Sequence, residues 1–363
     1  MKDSSGNFYS NQTDLERIAV DYFQEMFTSF STGSCSRVIH HVHEVVTLEM
    51  NNMLLEEFTQ DKVKKALFQM NPTKAPGSDD MNSLFFQKYW HFVGTDVSEA
   101  VLDCINFGKF LQSINFTHVT LIPKKKNPKL MSHFRPINLC NVIFKLVSKV
   151  LANRLKRILK RIISDCQNAF VAKRVITDNI LISFEILHYM KSKCQGNTTH
   201  MTLKLDMSKA YNRVEWDYLK GIMLKMGFHH KWVDLIMAGI SFASYSVLVN
   251  GVPSGFIKPF RRIRQGDPLS PHLFLLCSEG FSALLRNALQ QRLLHGVSIS
   301  RNGPQITHVL FADDSSLFCK ACSSECHTIK EILQIYEVAS GQKINCEKCS
   351  IFFQQQHFFI NLR

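Results

Sequence analysis

Between residues 141 and 163 apolar side chains return every three or four positions: Phe144, Val147, Leu151, Leu155, Ile158 and Ile162. That is the period of a helix with one buried stripe, and it predicts a long helix over this stretch. The same period predicts helices at 15–27, at 59–70 with Val63, Ala66, Leu67 and Met70 on one side, and at 216–226 with Leu219, Ile222, Met223 and Met226 aligned. A further helix is expected at 325–340, with Ile329, Ile332, Leu333 and Tyr336 inward. Gly227 and Gly341 are placed to end the last two. Ser270-Pro271 couples a capping hydroxyl to a proline at the first helical position and starts another. Asn71-Pro72-Thr73-Lys74-Ala75-Pro76-Gly77 breaks the chain after the second helix, and the small residues at 29–34 read as a linker.

Two stretches carry the period of a strand instead. Apolar and polar residues alternate through Met201-Thr202-Leu203-Lys204-Leu205-Asp206, which leaves Asp206 on the polar face at the end of the run. Val309-Leu310-Phe311 and Leu317-Phe318 flank a short polar corner and predict a β-hairpin. Its corner holds Asp313 and Asp314 side by side. Like charges so close repel, and a cation relieves the repulsion. Hard divalent ions such as Mg²⁺ take oxygen ligands of this kind. One acid and an acid pair at neighbouring strand ends could hold two ions roughly 3.5–4 Å apart, the arrangement that clamps both oxygens of a phosphoryl transfer. Taken singly, each acid is equally a turn or capping residue. Strands alternating with helices around these acids indicate an α/β or α+β sheet domain.

Charge changes the picture of what the chain meets. Lys and Arg total 43 against 30 Asp and Glu, giving +13 and favouring a polyanionic partner. The 141–163 helix carries seven cations (Lys145, Lys149, Arg154, Lys156, Arg157, Lys160, Arg161) and no acid, which points to phosphate contact as well as to a solvated face. No apolar run approaches the roughly 18 residues that span a bilayer, so no membrane partner is expected. The polar start Met1-Lys2-Asp3-Ser4-Ser5-Gly6 lacks the apolar core of a signal peptide. The 11 cysteines are accordingly read as reduced intracellular thiols. Cys319-Lys320-Ala321-Cys322 and Cys346-Glu347-Lys348-Cys349 form CxxC pairs with 23 residues between them, slightly long for a zinc site, and read as ordinary thiols.

An ordered series of motifs then carries a resemblance. Along the chain come Lys74-Ala75-Pro76-Gly77, Leu121-Ile122-Pro123-Lys124, Phe134-Arg135-Pro136-Ile137 and Gln167-Asn168-Ala169-Phe170. Lys204-Leu205-Asp206-Met207-Ser208-Lys209-Ala210-Tyr211 and Arg264-Gln265-Gly266-Asp267-Pro268-Leu269-Ser270-Pro271 follow. Phe311-Ala312-Asp313-Asp314 and Ser340-Gly341-Gln342-Lys343-Ile344-Asn345 close the series. From about residue 15 to 353 the chain resembles the reverse transcriptases of non-LTR (LINE-type) retrotransposons, especially those of plants.

The resemblance implies an α+β right-hand polymerase with fingers and palm, an antiparallel palm sheet packed on helices, and the thumb largely absent. It divides the chain into an N-terminal extension at 1–58, fingers at 59–200, palm at 201–350 and a truncated start of a thumb at 351–363. It implies RNA-directed DNA synthesis from a DNA primer on an RNA template with deoxynucleoside triphosphates and two Mg²⁺ ions, in an intracellular and nuclear setting. Asp206, Asp313 and Asp314 would be the catalytic, metal-binding acids, helped by the Met207 carbonyl. Lys124 and Arg135 resemble the residues that grip the triphosphate, and Gln265 with Gly266 the pair beneath the templating base, where glycine permits close backbone approach. Tyr211 resembles the aromatic that blocks a ribose 2′-hydroxyl, which argues against an RNA-directed RNA polymerase, as does Ala312. Lys343, with Lys348 as a competitor, resembles the proton donor to pyrophosphate.

Departures from the family pattern are also visible. Asn212 stands where the family has Asp. Asp80, Lys173 and Arg262 stand where it has Gly, so a backbone needing positive φ would be strained at each. The alternative to an active polymerase is therefore a catalytically impaired nucleic-acid-binding remnant. Oligomeric state leaves no trace in the sequence.

Overall fold

The strongest periodic run folds as one helix, Val142–Ile162, with Leu146, Val147, Leu151, Leu155 and Ile158 buried along it. Burial extends further round this helix than one stripe, and it takes in two of the cations. Lys145 donates from Nζ to the Ala75 carbonyl at 3.0 Å, and burial pushes its ammonium pKa down. Arg154 donates to the carbonyls of Leu54 at 3.1 Å and Glu57 at 3.0 Å, with its guanidinium 3.4 Å above the Phe58 ring. These two cations hold backbone carbonyls together and are not open to phosphate. Lys156, Arg157, Lys160 and Arg161 remain exposed, so the basic stripe is shorter than the sequence pattern suggests.

In the computed structural model the described residues are 1–3, 5–29, 35–192, 199–300, 303–354 and 356–361. The expected linker at 29–34 lies outside them, Ser29 excepted. Expected helices appear with ends shifted by a few residues, as Gln12–Phe27, Gln60–Phe68, Trp216–Lys225, Ser270–Gln290 and Ser323–Ser340. Gly341 takes the left-handed conformation (φ 74°) that stops the last of these. The helices Trp90–Phe107, Ile176–Ser192 and His230–Ser241 have no counterpart in the pattern-based reading. Among the described residues no helix is long and apolar enough to cross a membrane.

The chain folds as two compact units, each assembled from three separated stretches. The first takes in 1–29, 48–155 and 229–270, the second 30–47, 156–228 and 271–363. Consecutive blocks at 1–58, 59–200 and 201–350 do not coincide with these units, because strands distant in sequence pair with one another. Among the described residues nine strands follow in chain order: β1 Phe116–Pro123, β2 Phe134–Cys140, β3 His200–Asp206, β4 Ser244–Val249, β5 Val252–Ile257, β6 His308–Phe311, β7 Asp314–Lys320, β8 Ser350–Phe353 and β9 Gln356–Asn361.

In the first unit a four-stranded sheet runs β2-β1-β4-β5, with β1 and β4 parallel and the other pairs antiparallel. Helix Gln12–Phe27 packs on it through Phe23 and Phe27 against Tyr245, Val247 and Ile257. In the second unit the order is β6-β7-β3-β8-β9, antiparallel throughout. Strands β8 and β9, which apart from Ser350 lie in the stretch 351–363 assigned from sequence to the start of a thumb, pair into this sheet. Ile186 and Met190 of helix Ile176–Ser192 pack with Val309 and Phe318 of the hairpin. Tyr218 donates to the Cys277 carbonyl at 2.9 Å, tying helix Trp216–Lys225 to helix Ser270–Gln290.

His308 starts β6 inside this unit, with its ring nitrogens bonded to Thr307 Oγ1 at 2.9 Å and Ser282 Oγ at 3.1 Å. Burial pushes its pKa down to about 3. The folded value lies below the unfolded one, so this stability is present above the ordinary histidine pKa and is lost as pH falls toward the folded value. Going from pH 7 to pH 4 should remove about 3 kcal/mol through this residue. Urea unfolding at the two pH values checks it, and His308→Gln should flatten the difference. An equal acid loss in that variant would move the effect to other groups.

Candidate active site

The acid hairpin forms as its sequence predicts. Phe311 pairs with Asp314 to close it, and Ala312 occupies the turn with a left-handed φ of 55°. An alanine held there costs roughly 1–2 kcal/mol relative to the right-handed region, so the turn needs outside support. Gln167 supplies it. Its buried Oε1 accepts from the Ala312 amide at 3.1 Å and the Ala169 amide at 3.0 Å. Leu310 is pinned on the same side, donating to the Cys166 carbonyl at 2.7 Å and accepting from Asn179 Nδ2 at 2.7 Å. Arg174 in turn fixes the 163–167 loop by donating to the carbonyls of Ser164, Gln167 and Ile163. Gln167, Asn179 and Arg174 have no assigned role in the sequence reading. The only sign of the first was its place in the Gln-Asn-Ala-Phe motif.

Strand pairing supplies the third acid. β3 and β7 run antiparallel in a register that sets Asp206 directly across from Asp314. Facing Cβ atoms in such a pair lie about 4.5–5.5 Å apart, and like charges there are destabilising. Asp313 lies beside them. Burial first, then the fields of Asp314 and Asp206, push its carboxyl above the usual carboxylate range. Lys348 opposes the excess negative charge, with Nζ 3.4 Å from Asp206 Oδ2, and Asn345 Nδ2 donates to the same oxygen at 3.0 Å. Among the described residues no three acid, thiol or imidazole side chains form a ready-made metal cluster. The donor chemistry nevertheless fits a hard divalent cation: Asp206 and Asp314 face each other across the strands, with the Asp313 carboxyl beside them.

Residues 207–213 continue from β3 into the site. Met207 is buried and bridges to Ile344, through bonds from Asn345 N to Asp206 O (2.9 Å) and Ser208 N to Lys343 O (2.7 Å) that flank it. Lys209 adopts a left-handed φ of 54°, and burial followed by the charge of Arg213 pushes its ammonium down to about 8. Tyr211 lies in the short 3₁₀ turn Ala210–Arg213, stacked on Phe274 at 5.2 Å with 15° between the rings. Its phenol is pushed up by burial and then by the field of Asp313, so ring and acid share one environment. Lys343 is exposed and holds the loop through its backbone, whereas Lys348 is the lysine in contact with an acid.

Lys124, Arg135, Gln265 and Gly266 belong to the first unit. Lys124 follows β1, with its amide bonded to the His133 carbonyl at 2.8 Å and its Nζ to the Ser132 carbonyl at 3.0 Å. Arg135 is exposed on β2, opposite Ile122. The Gln265 carbonyl accepts from Asn138 Nδ2 at 2.8 Å. Gly266 has φ 96°, and an added Cβ would come no nearer than 3.8 Å to the Asn138 carbonyl oxygen. Positive φ favours glycine there, and no neighbouring atom of the protein crowds the position.

The departures from the family pattern leave a physical trace. Asp80 has φ 53°, Lys173 φ 66° and Arg262 φ 110°, so all three positions where glycine was expected hold the left-handed side of the map. Arg262 is also buried, its guanidinium 4.0 Å from the Phe27 ring centroid and bonded to Asn138 Oδ1 at 2.8 Å. Asn212 is buried, with an Oδ1 that accepts no hydrogen bond among the described residues. Lys173 is exposed, and Lys173→Gly should raise stability by up to about 1 kcal/mol, the relieved strain exceeding the added chain entropy. A lower urea midpoint for that variant would refute the strain.

Residues 122–360 match the reverse transcriptase (RNA-dependent DNA polymerase) family. Over 350 residues the chain is 27% identical to the Transposon TX1 uncharacterized 149 kDa protein of Xenopus laevis, covering 96% of this chain and 25% of that protein. It is 24% identical over 336 residues to a retrovirus-related Pol polyprotein from the type-2 retrotransposable element R2DM of Drosophila melanogaster, covering 92% of this chain and 29% of the relative. A shorter match, 54% over 69 residues, is to an uncharacterized mitochondrial protein of Arabidopsis thaliana, covering 19% of this chain and 57% of that one. The chain thus spans between a quarter and a third of the two long relatives. With its acids paired across β3 and β7 and its motifs in family order, the chain belongs to the reverse transcriptase (RNA-dependent DNA polymerase) family, as the reverse transcriptase domain of a LINE-type element.

Proposed function

We propose that this chain carries out RNA-directed DNA synthesis, adding deoxynucleotides to a DNA primer on an RNA template. The second unit is the palm and the first the fingers. The observation that carries the reading is the register that sets Asp206 across from Asp314, beside an Asp313 whose carboxyl is pushed up by burial first and then by these two acids.

Asp206, Asp313 and Asp314, with the Met207 carbonyl, would hold two divalent ions, Mg²⁺ by preference for oxygen ligands. When bound, such ions neutralise phosphate charge and make the primer 3′-hydroxyl a better nucleophile. The protein's own residues supply the rest. Gln167 and the 163–168 loop keep the acid turn in one conformation, and preorganisation of that kind is what a charge-stabilising site requires. Lys124 and Arg135 grip the triphosphate, Gln265 and Gly266 support the template base, and Tyr211 excludes the ribose 2′-hydroxyl. Lys348 balances Asp206, and proton donation to pyrophosphate falls to the loop holding Lys343 and Lys348.

A second reading, a catalytically impaired nucleic-acid-binding remnant, is favoured by the non-glycine residues at positive φ in positions 80, 173 and 262. Primer extension on an RNA template separates the two. Mg²⁺-dependent incorporation of deoxynucleotides supports the polymerase, whereas RNA binding without incorporation supports the remnant.

A further inference from the structure

The turn 345–349 is the keeper of Asp206. Asn345 N donates to the Asp206 carbonyl at 2.9 Å and Asn345 Nδ2 to its carboxylate at 3.0 Å. Lys348 Nζ lies 3.4 Å from the same carboxylate, and the Asp206 amide donates to Cys349 Sγ at 3.5 Å. This turn is also the second CxxC of the sequence. The amides of Lys348 and Cys349 both donate to the Asn345 carbonyl, at 2.9 and 3.1 Å, so the segment makes one helical turn. Cys346 and Cys349 stand three positions apart on it, on one face.

Neighbours at that spacing have Cβ atoms about 5–6 Å apart, and rotation within a turn closes them to disulfide reach. Cys346 is exposed to solvent while Cys349 is buried against Asp206. The first CxxC has no such turn, because Cys319 is buried within extended β7.

We propose that Cys346 and Cys349 are a thiol-oxidation site that disarms Asp206 through a reversible disulfide, a regulation that rests on reading Asp206 as a catalytic acid. The oxidant is a low-molecular-weight disulfide such as oxidised glutathione. The Cys346 thiolate attacks one of its sulfurs, forming a mixed disulfide and expelling one glutathione thiolate. The Cys349 sulfur then attacks Cys346 and expels the second. The protein gives up two protons and two electrons, and the oxidant becomes two thiols. Cys349 Sγ, turned toward Cys346, no longer accepts from the Asp206 amide, and the turn carrying Asn345 and Lys348 shifts with it. Partners of this kind orient a metal-binding carboxylate, and losing them typically costs tenfold or more in metal affinity.

The test treats the full chain with oxidised glutathione. Trypsin cuts after Lys343 and Lys348, so the disulfide joins peptide 344–348 to peptide 349–363 in a non-reducing digest. The expected result is that this linked pair appears, Mn²⁺ affinity in a direct titration falls by about tenfold or more, and dithiothreitol reverses both. Primer extension should fall and recover in parallel. Cys346→Ser should retain primer extension and Mn²⁺ affinity and lose the sensitivity to oxidant. Absence of the linked pair, an unchanged Mn²⁺ affinity when it forms, or equal oxidant sensitivity in Cys346→Ser would each overturn the proposal. The peptide and Mn²⁺ readouts decide it even in a chain that incorporates no nucleotide.

Discussion

Asp313→Asn is expected to lower nucleotide incorporation by roughly a thousandfold or more, because it removes a charged oxygen ligand where two ions must be held. RNA binding should be largely unchanged, since phosphate contacts dominate that affinity and Asp313 contributes none. The same change should not destabilise the metal-free protein. Asp313 has a folded pKa above its ordinary value, so the stability linked to it is fully present below that ordinary value. It is lost as pH rises through the raised folded pKa, and asparagine removes both the buried charge and the repulsion behind it. Incorporation in the parent should correspondingly fall as pH drops into the raised range, where the acid takes up its proton. Primer extension, RNA binding and thermal unfolding on the same two proteins check all three expectations. Activity and folding lost together would make Asp313 a structural residue.

Tyr211→Ala should admit ribonucleotides far more readily, raising their incorporation relative to deoxyribonucleotides by about a hundredfold. The phenol ring is held flat by its stack on Phe274 and lies within the field of Asp313, so it cannot easily swing away from an incoming sugar. Alanine leaves open space at the 2′ position. Competition between the two sugars on one template measures the ratio directly. A ratio unchanged from the parent would return Tyr211 to a packing role with Phe274.

Much of the second unit is legible in the sequence. The acid hairpin shows because two apolar runs leave a polar corner only wide enough for a turn, and β3 shows through its alternation. Helix Ile176–Ser192 does not. Ile180, Leu181 and Phe184 are exposed on it while Ile186 and Met190 are buried, so its apolar residues ring the axis and mark no single stripe. The cations of helix Val142–Ile162 mislead for the opposite reason. A lysine or arginine reads as solvent-facing until a neighbouring segment offers it carbonyl oxygens, as residues 54–57 and Ala75 do. Gln167 stays silent because a glutamine's worth depends on the amides it meets.

By itself the sequence determined the local periods, the two acids at the turn, the third at a strand end and the motif order of the family. The family resemblance marked Asp80, Lys173 and Arg262 as places where a backbone needing positive φ would be strained, and all three hold positive φ. Only the tertiary structure decided that Asp206 faces Asp314, that Gln167 braces Ala312 and that Lys348 is the lysine on Asp206. Each of these joins segments far apart along the chain. Their register is set by backbone pairing and burial across the whole sheet, which no window of neighbouring residues encodes.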